Sequence, residues 1–215
     1  MPPTNRPIPR FIAEPPSEAQ PYGRWAERLA EAFLAACAAV EEEPGDAEPG
    51  EIAWYPERSY CGRTYVPATA PAGEGFEYFG YVSFARGGNG ADRGEPVDFR
   101  AVADFTDETA DQNPDWKMDL SDEVIGHWRG PGEARGDVTL VWGVPLGARA
   151  AGAQAATAEL SGETMDQCRL GSDRGFTLVA LDAVTGLGPD HLYLEVKLWD
   201  RRSEPIAVES LYEPE

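Results

Sequence analysis

With 215 residues, 42% of them hydrophobic, the chain is long enough for one domain with a sizeable core, or two small ones, and too apolar to be disordered. Its 38 acids against 18 bases leave a net charge of −20, which opposes binding to nucleic-acid phosphates or anionic membranes and favours basic partners or cations. The cations are nearly all arginine, since only Lys117 and Lys197 are lysines.

Residues 1–20, MPPTNRPIPRFIAEPPSEAQ, are rich in proline, which fixes φ and removes a backbone donor, so an extended arm is expected. Ile8, Phe11 and Ile12 supply apolar groups for it to bury, on its own body or on a neighbouring subunit. From Tyr22 to Val40 the period changes to that of a helix. Trp25, Leu29, Phe33, Ala36 and Val40 recur at three and four residues, opposite Arg24, Glu27, Arg28 and Glu31. The apolar run in this stretch, EAFLAACAAV, is about half the ~20 residues that span a bilayer, and no secretory signal precedes it, so a cytoplasmic location is expected. EEEPGDAEPGE, residues 41–51, reads as an exposed acidic connector. Residues 1–50 thus form an arm, helix and connector leading into a β domain over 51–215.

Beyond Glu51 short aromatic and β-branched segments succeed one another: IAWYPERSY, GRTYVPATA, FEYFGYVSFAR, VDFRAVADFTD, DVTLVWGVPL, AATAEL, FTLVALDAV, HLYLEVKLWD and PIAVESLY. Gly, Pro and Asp clusters separate them, which predicts a mainly β fold, an antiparallel β-sandwich or barrel with one N-terminal amphipathic helix. AVADFTDETADQ, residues 101–112, recurs as ATAELSGETMDQ, residues 156–167, and two later segments echo in the same order. Together they suggest an internal duplication with repeats at about 79–142 and 139–213. Asp107 becoming Gly162 marks a turn after a strand, because both types tolerate tight-turn dihedrals. Glu108 and Asp111, repeated as Glu163 and Asp166, offer paired carboxylates, although Thr and Asp more commonly close turns there.

Motifs of catalysis are scarce. His127 and His191 are the only histidines; His127 is expected at a strand end or turn. Cys37, Cys61 and Cys168 form no C-x-x-C pair and read as reduced structural thiols. Neither a P-loop nor a serine elbow occurs. DQNPDWKMDLSDE places Asp111, Asn113 and Asp115 at alternate positions of a calcium loop, with Asp119 and Asp122 beyond. Trp116 stands where the sharp turn needs glycine, so the calcium signal is weak. WYPERSYCGRTYV sets Trp54, Tyr55, Tyr60 and Tyr65 beside Arg58 and Arg63, a candidate ligand or interface wall. The expectation is a non-catalytic cytoplasmic binding or assembly module that meets a protein partner or a second copy through its acidic surface. The alternative is a β-barrel that binds or turns over a small ligand, with Glu108 or Asp111 as acid or base.

Overall fold

A computed structural model describes residues 24–40, 48–73, 75–87, 95–129, 135–160, 162–181 and 194–211. The proline-rich arm, His191 and most of the acidic connector lie outside them. Helix α1 spans Arg24–Cys37, inside the stretch its periodicity marks. Twelve strands follow: β1 Ala53–Trp54, β2 Arg58–Tyr60, β3 Arg63–Pro71, β4 Glu77–Arg86, β5 Pro96–Thr106, β6 Met118–Arg129, β7 Arg135–Pro145, β8 Ala155–Leu160, β9 Glu163–Arg169, β10 Phe176–Leu181, β11 Leu194–Trp199 and β12 Pro205–Leu211. A single helical turn, α2 Gly147–Ala150, lies between β7 and β8.

Among the described residues the strands form three sheets in which every pairing is antiparallel. The first has the order β1-β3-β4-β5, with β2 also on β3; the second is β10-β7-β6; the third is β12-β11-β8-β9. None of them closes on itself among the described residues, so the barrel alternative gives way to open sheets.

Alternation along the strands assigns each face. Val66, Ala68, Ala70, Tyr78, Val82 and Phe84 of the first sheet pack under Leu29, Phe33 and Cys37 of α1. Tyr65 and Tyr81, on its opposite face, meet Val138, Leu140, Trp142 and Val179 of the second sheet. The other face of that sheet, with Val141, Phe176, Leu178 and Ala180, meets Ala156, Ala158, Val196 and Leu198 of the third. The second sheet is therefore covered on both sides. That explains why FTLVAL is buried at every position instead of alternating.

The outer face of the third sheet is held by a hydrogen-bond chain. Trp199 Nε1 donates to Thr157 Oγ1, Thr157 to Glu159, and Lys197 Nζ to Glu159 at 2.7 Å. Replacing Thr157 by valine should lower stability by about 1 kcal/mol in denaturant unfolding, because it strands the Trp199 donor.

Two sequence expectations shift. Met118–Arg129 is a strand, so the second half of the expected calcium loop is extended and His127 lies within β6. Thr164 and Asp166, residue types expected to close turns there, lie on β9. The turn expected inside each repeated segment is present: Asp107 is a bend after β5, and Gly162 a turn after β8 with φ 78°. Beyond that turn the copies diverge, since residues 108–112 are loop and residues 163–167 are strand.

The β2–β3 hairpin turns on Cys61 and Gly62, with φ of 46° and 78°. Both central residues at positive φ define a type I′ turn, where an L residue other than Asn or Gly is strained. Cys61→Asn should raise stability by about 0.5–1 kcal/mol, read as a higher denaturation midpoint.

Candidate functional site

Strand pairing decides what becomes of the aromatic and arginine stretch. Arg58 pairs with Tyr65 and Tyr60 with Arg63 across the β2–β3 hairpin, so all four share the face turned toward the second sheet. Tyr55 joins them in the core between those sheets, whereas Trp54 packs on the opposite side, its ring 6.0 Å from Phe33. Tyr65 meets Tyr81 edge-on, with centroids 5.4 Å apart.

The guanidinium groups are engaged within the protein. Arg58, 1% exposed, donates through Nη2 to both carboxylate oxygens of Asp166 at 2.6 Å, and to the Gln167 carbonyl at 3.2 Å. Asp166 also accepts the backbone N–H groups of Val179 and Gln167, each at 2.8 Å. Burial raises the Asp166 carboxyl, while the Arg58 charge and the two amides pull it back. One carboxylate thus links β2 of the first sheet, β10 of the second and β9 of the third. Arg63 bonds Asp98 at 2.6 Å and Ser83, nearer solvent.

The repeated acids occupy unlike places. Glu108, Asp111 and Glu163 are exposed, while Asp166 is buried. Among the calcium-loop residues, Asn113 donates its side-chain amide to the Thr109 carbonyl and Asp115 is exposed. Asp119 and Asp122 sit three apart on β6 and so face opposite sides. Among the described residues no three carboxylate, thiol or imidazole groups form a cluster able to hold a metal ion. His127 is exposed, its Nδ1 2.6 Å from Asp137 across the β6–β7 pair. Burial pushes Cys37 up to about 11 and Cys168 up to about 12; Cys61 is exposed, and all three thiols are free.

A different group of acids comes together where β4 approaches β6. Asp119, Ser121 and Glu123 pair with Val144, Trp142 and Leu140, and therefore share the face of the second sheet that meets the first. Opposite them Glu77 lies on the same face as Phe79 and Tyr81. Burial pushes the Glu77 carboxyl up to about 7, helped by the negative charges of Asp119 and Asp111. Asp119 is raised by burial and by Asp111; Glu123 is raised by burial, then by Asp122 and Asp104. Tyr55, hydrogen-bonded to Thr69, is pushed up to about 12 by burial, with Asp119, Glu77 and Asp173 adding to it. The border between the first two sheets is thus lined by carboxylates that repel one another over tyrosine rings.

Sequence reasoning reached Asp111 and Asp119 but missed Glu77 and Glu123. The available signal was the alternation of Asp119, Ser121 and Glu123, which marks one polar face of a strand. Gly143 keeps this strand close to its neighbour: a Cβ there would run into the Asp119 carbonyl and the Leu120 side chain.

Comparison of the chain with protein-family models, curated proteins and solved structures finds no match. No helix among the described residues is long and apolar enough to cross a membrane. What fold and site define is a class: an acidic, antiparallel β protein with open sheets and a carboxylate-lined border between two of them.

Proposed function

We propose that the protein is a non-catalytic, cytoplasmic binding or assembly module whose acidic surface engages a basic protein. The observation that carries this reading is the convergence of Glu77, Asp119 and Asp111 at one sheet border, in a chain of net charge −20. The charges of Asp119 and Asp111 that raise Glu77 are both negative, so a cationic side chain arriving there relieves repulsion as well as forming an ion pair. Two sheets joined through one core follow the plan of a β-sandwich, and the recurring segments fit an origin by duplication. Self-association would use the same acidic border or the open sheet edges.

Titration with a ten-residue arginine peptide tests the reading. Binding should be measurable calorimetrically at about 50 mM salt and collapse near 500 mM, where the Debye length shortens severalfold. Glu77→Gln/Asp119→Asn should weaken it about tenfold, while Glu163→Gln/Glu204→Gln, at exposed positions on or beside the third sheet, should leave it nearly unchanged. Equal loss in both pairs would reduce the effect to overall charge and remove the site. Light scattering that finds a strict monomer at all concentrations would remove the assembly part.

A further inference from the structure

β5 ends the first sheet: among the described residues it pairs with β4 and with no other strand. Its backbone shows which groups are left over. The Arg100 carbonyl accepts the Ser83 hydroxyl of β4, and a Cβ on Gly80 of β4 would run into the Val102 carbonyl. Both carbonyls therefore point at β4. The Phe105 N–H, one step out of phase with them, turns to the Asp104 carboxylate at 2.8 Å. Backbone groups alternate between the two edges of a strand, so Ala101, Ala103 and Phe105 present theirs at the open edge.

Such an edge is a template for another strand, and the side chains beside it are open too. Arg100, Val102 and Asp104 pair with Ser83, Tyr81 and Phe79, and so share the face turned toward the second sheet. Tyr81 is buried there, yet all three β5 residues are exposed, so β5 runs past the cover that the second sheet gives.

This face is complementary to a copy of itself. A two-fold axis at Val102 sets β5 antiparallel to a second β5 with Ala101 opposite Ala103. On the exposed face, Arg100 of each protomer then stands opposite Asp104 of its partner. The alanine pairs exchange hydrogen bonds, the two valines meet at the axis, and two ion pairs flank them. Neighbouring registers repel. An axis at Ala101 sets Asp98 opposite Asp104, one at Arg100 sets two arginines face to face, and one at Ala103 sets Asp98 opposite Glu108. Within the chain Arg100 bonds Asp98 at 3.0 Å, an exposed pair of the kind that contributes little, and Arg63 already holds that carboxylate at 2.6 Å. Asp104 helps to raise the Glu123 carboxyl, so a guanidinium arriving at Asp104 relieves that repulsion. β6, which ends the second sheet, carries Asp119, Asp122 and Glu123 with no cation before His127, and repels a copy of itself.

We propose that two copies of the chain join edge to edge through β5 in the register that sets Arg100 opposite Asp104, making one continuous antiparallel sheet from two first sheets. This supplies a surface for the assembly part of the reading above and rests on that part alone; the basic-peptide site at Glu77 and Asp119 is separate from it.

Sedimentation velocity on the full chain at about 150 mM salt tests it. The parent should dimerise. Arg100→Asp and Asp104→Arg, each alone, set like charges opposite one another and should weaken the dimer about tenfold or more. An equimolar mixture of the two variants should restore it, because each then carries the charges that the other lacks. Misfolded variants could not do this. Ala103→Pro removes a donor at the open edge and should also give a monomer, with β7 amide exchange unchanged. A dimer that survives both charge variants and Ala103→Pro uses another surface, which overturns this proposal and leaves assembly standing. A mixture that stays monomeric overturns it as well. A monomeric parent overturns both the proposal and the assembly part, while leaving the peptide titration to decide the rest.

Discussion

Arg58→Met should cost about 3–5 kcal/mol, seen as a large fall in the urea midpoint, because it leaves Asp166 as an uncompensated buried charge. The guanidinium is 1% exposed and both carboxylate oxygens accept from it at 2.6 Å. The pair itself need not stabilise by that amount. Desolvating two ions offsets most of their attraction, so the cost falls on removing one partner alone. Adding Asp166→Asn should therefore restore at least half of the loss, since the amide oxygen still accepts from Val179 and carries no charge. A double variant no better than Arg58→Met would show that packing around the arginine stem, rather than charge, sets the effect. Because Asp166 accepts from β10 while lying on β9, the single variant should also speed amide exchange at Val179.

Stability should rise as pH falls from about 8 to 5, by no more than about 2 kcal/mol once the partial solvent access of Glu77 is allowed for. The sign follows from the direction of the shift. The folded-state value of Glu77 is about 7 against 4.5 for the free group, so the folded protein binds the proton first and gains as it does so. Asp119 and Glu123, also raised, act in the same direction. Asp98 and Asp200 are lowered, Asp98 chiefly by its bonds to Arg63 and Arg100 and Asp200 chiefly by a backbone bond from Glu204. Their contribution disappears at more acid pH, which turns the profile downward again. Glu77→Gln should stabilise the protein at pH 8 and flatten the rise, measured as thermal midpoints across that range. A flat parent profile would mean that the carboxylates at the sheet border are fully solvated.

Much of the secondary structure was legible because burial writes a period into the chain. Leu29, Phe33 and Cys37 recur at the helical spacing and are the residues α1 buries. VDFRAVADFTD and PIAVESLY alternate, and both are strands at the ends of their sheets. β6 and β9 escaped because Asp119, Ser121, Asp122 and Glu123, and Glu163, Asp166 and Gln167, make them polar enough to resemble loops. Each lies at the end of its sheet's order, where one side of the ladder needs no apolar neighbour.

The sites divide in the same way. The stretch around Arg58 promised a surface, and the alternation that gathers Arg58, Tyr60, Arg63 and Tyr65 on one face of the hairpin was already present in the sequence. That this face is covered, by the second sheet and at Arg58 by Asp166 of the third, was not, because Asp166 lies 108 positions from Arg58. Likewise the chain's excess of acids was plain, yet Glu77 meets Asp119 only because β4 and β6 come from different sheets that stack.

By itself the sequence determined the local matters: most of the segments that are strands or helix, where turns fall, and that the chain is strongly acidic. These depend on near neighbours and on totals. Only the tertiary structure decided that the described strands stack as three open sheets, that Arg58 is buried against Asp166, and which carboxylates face one another. Those outcomes depend on which faces meet, and a periodic pattern marks a face as apolar without naming the face it will cover.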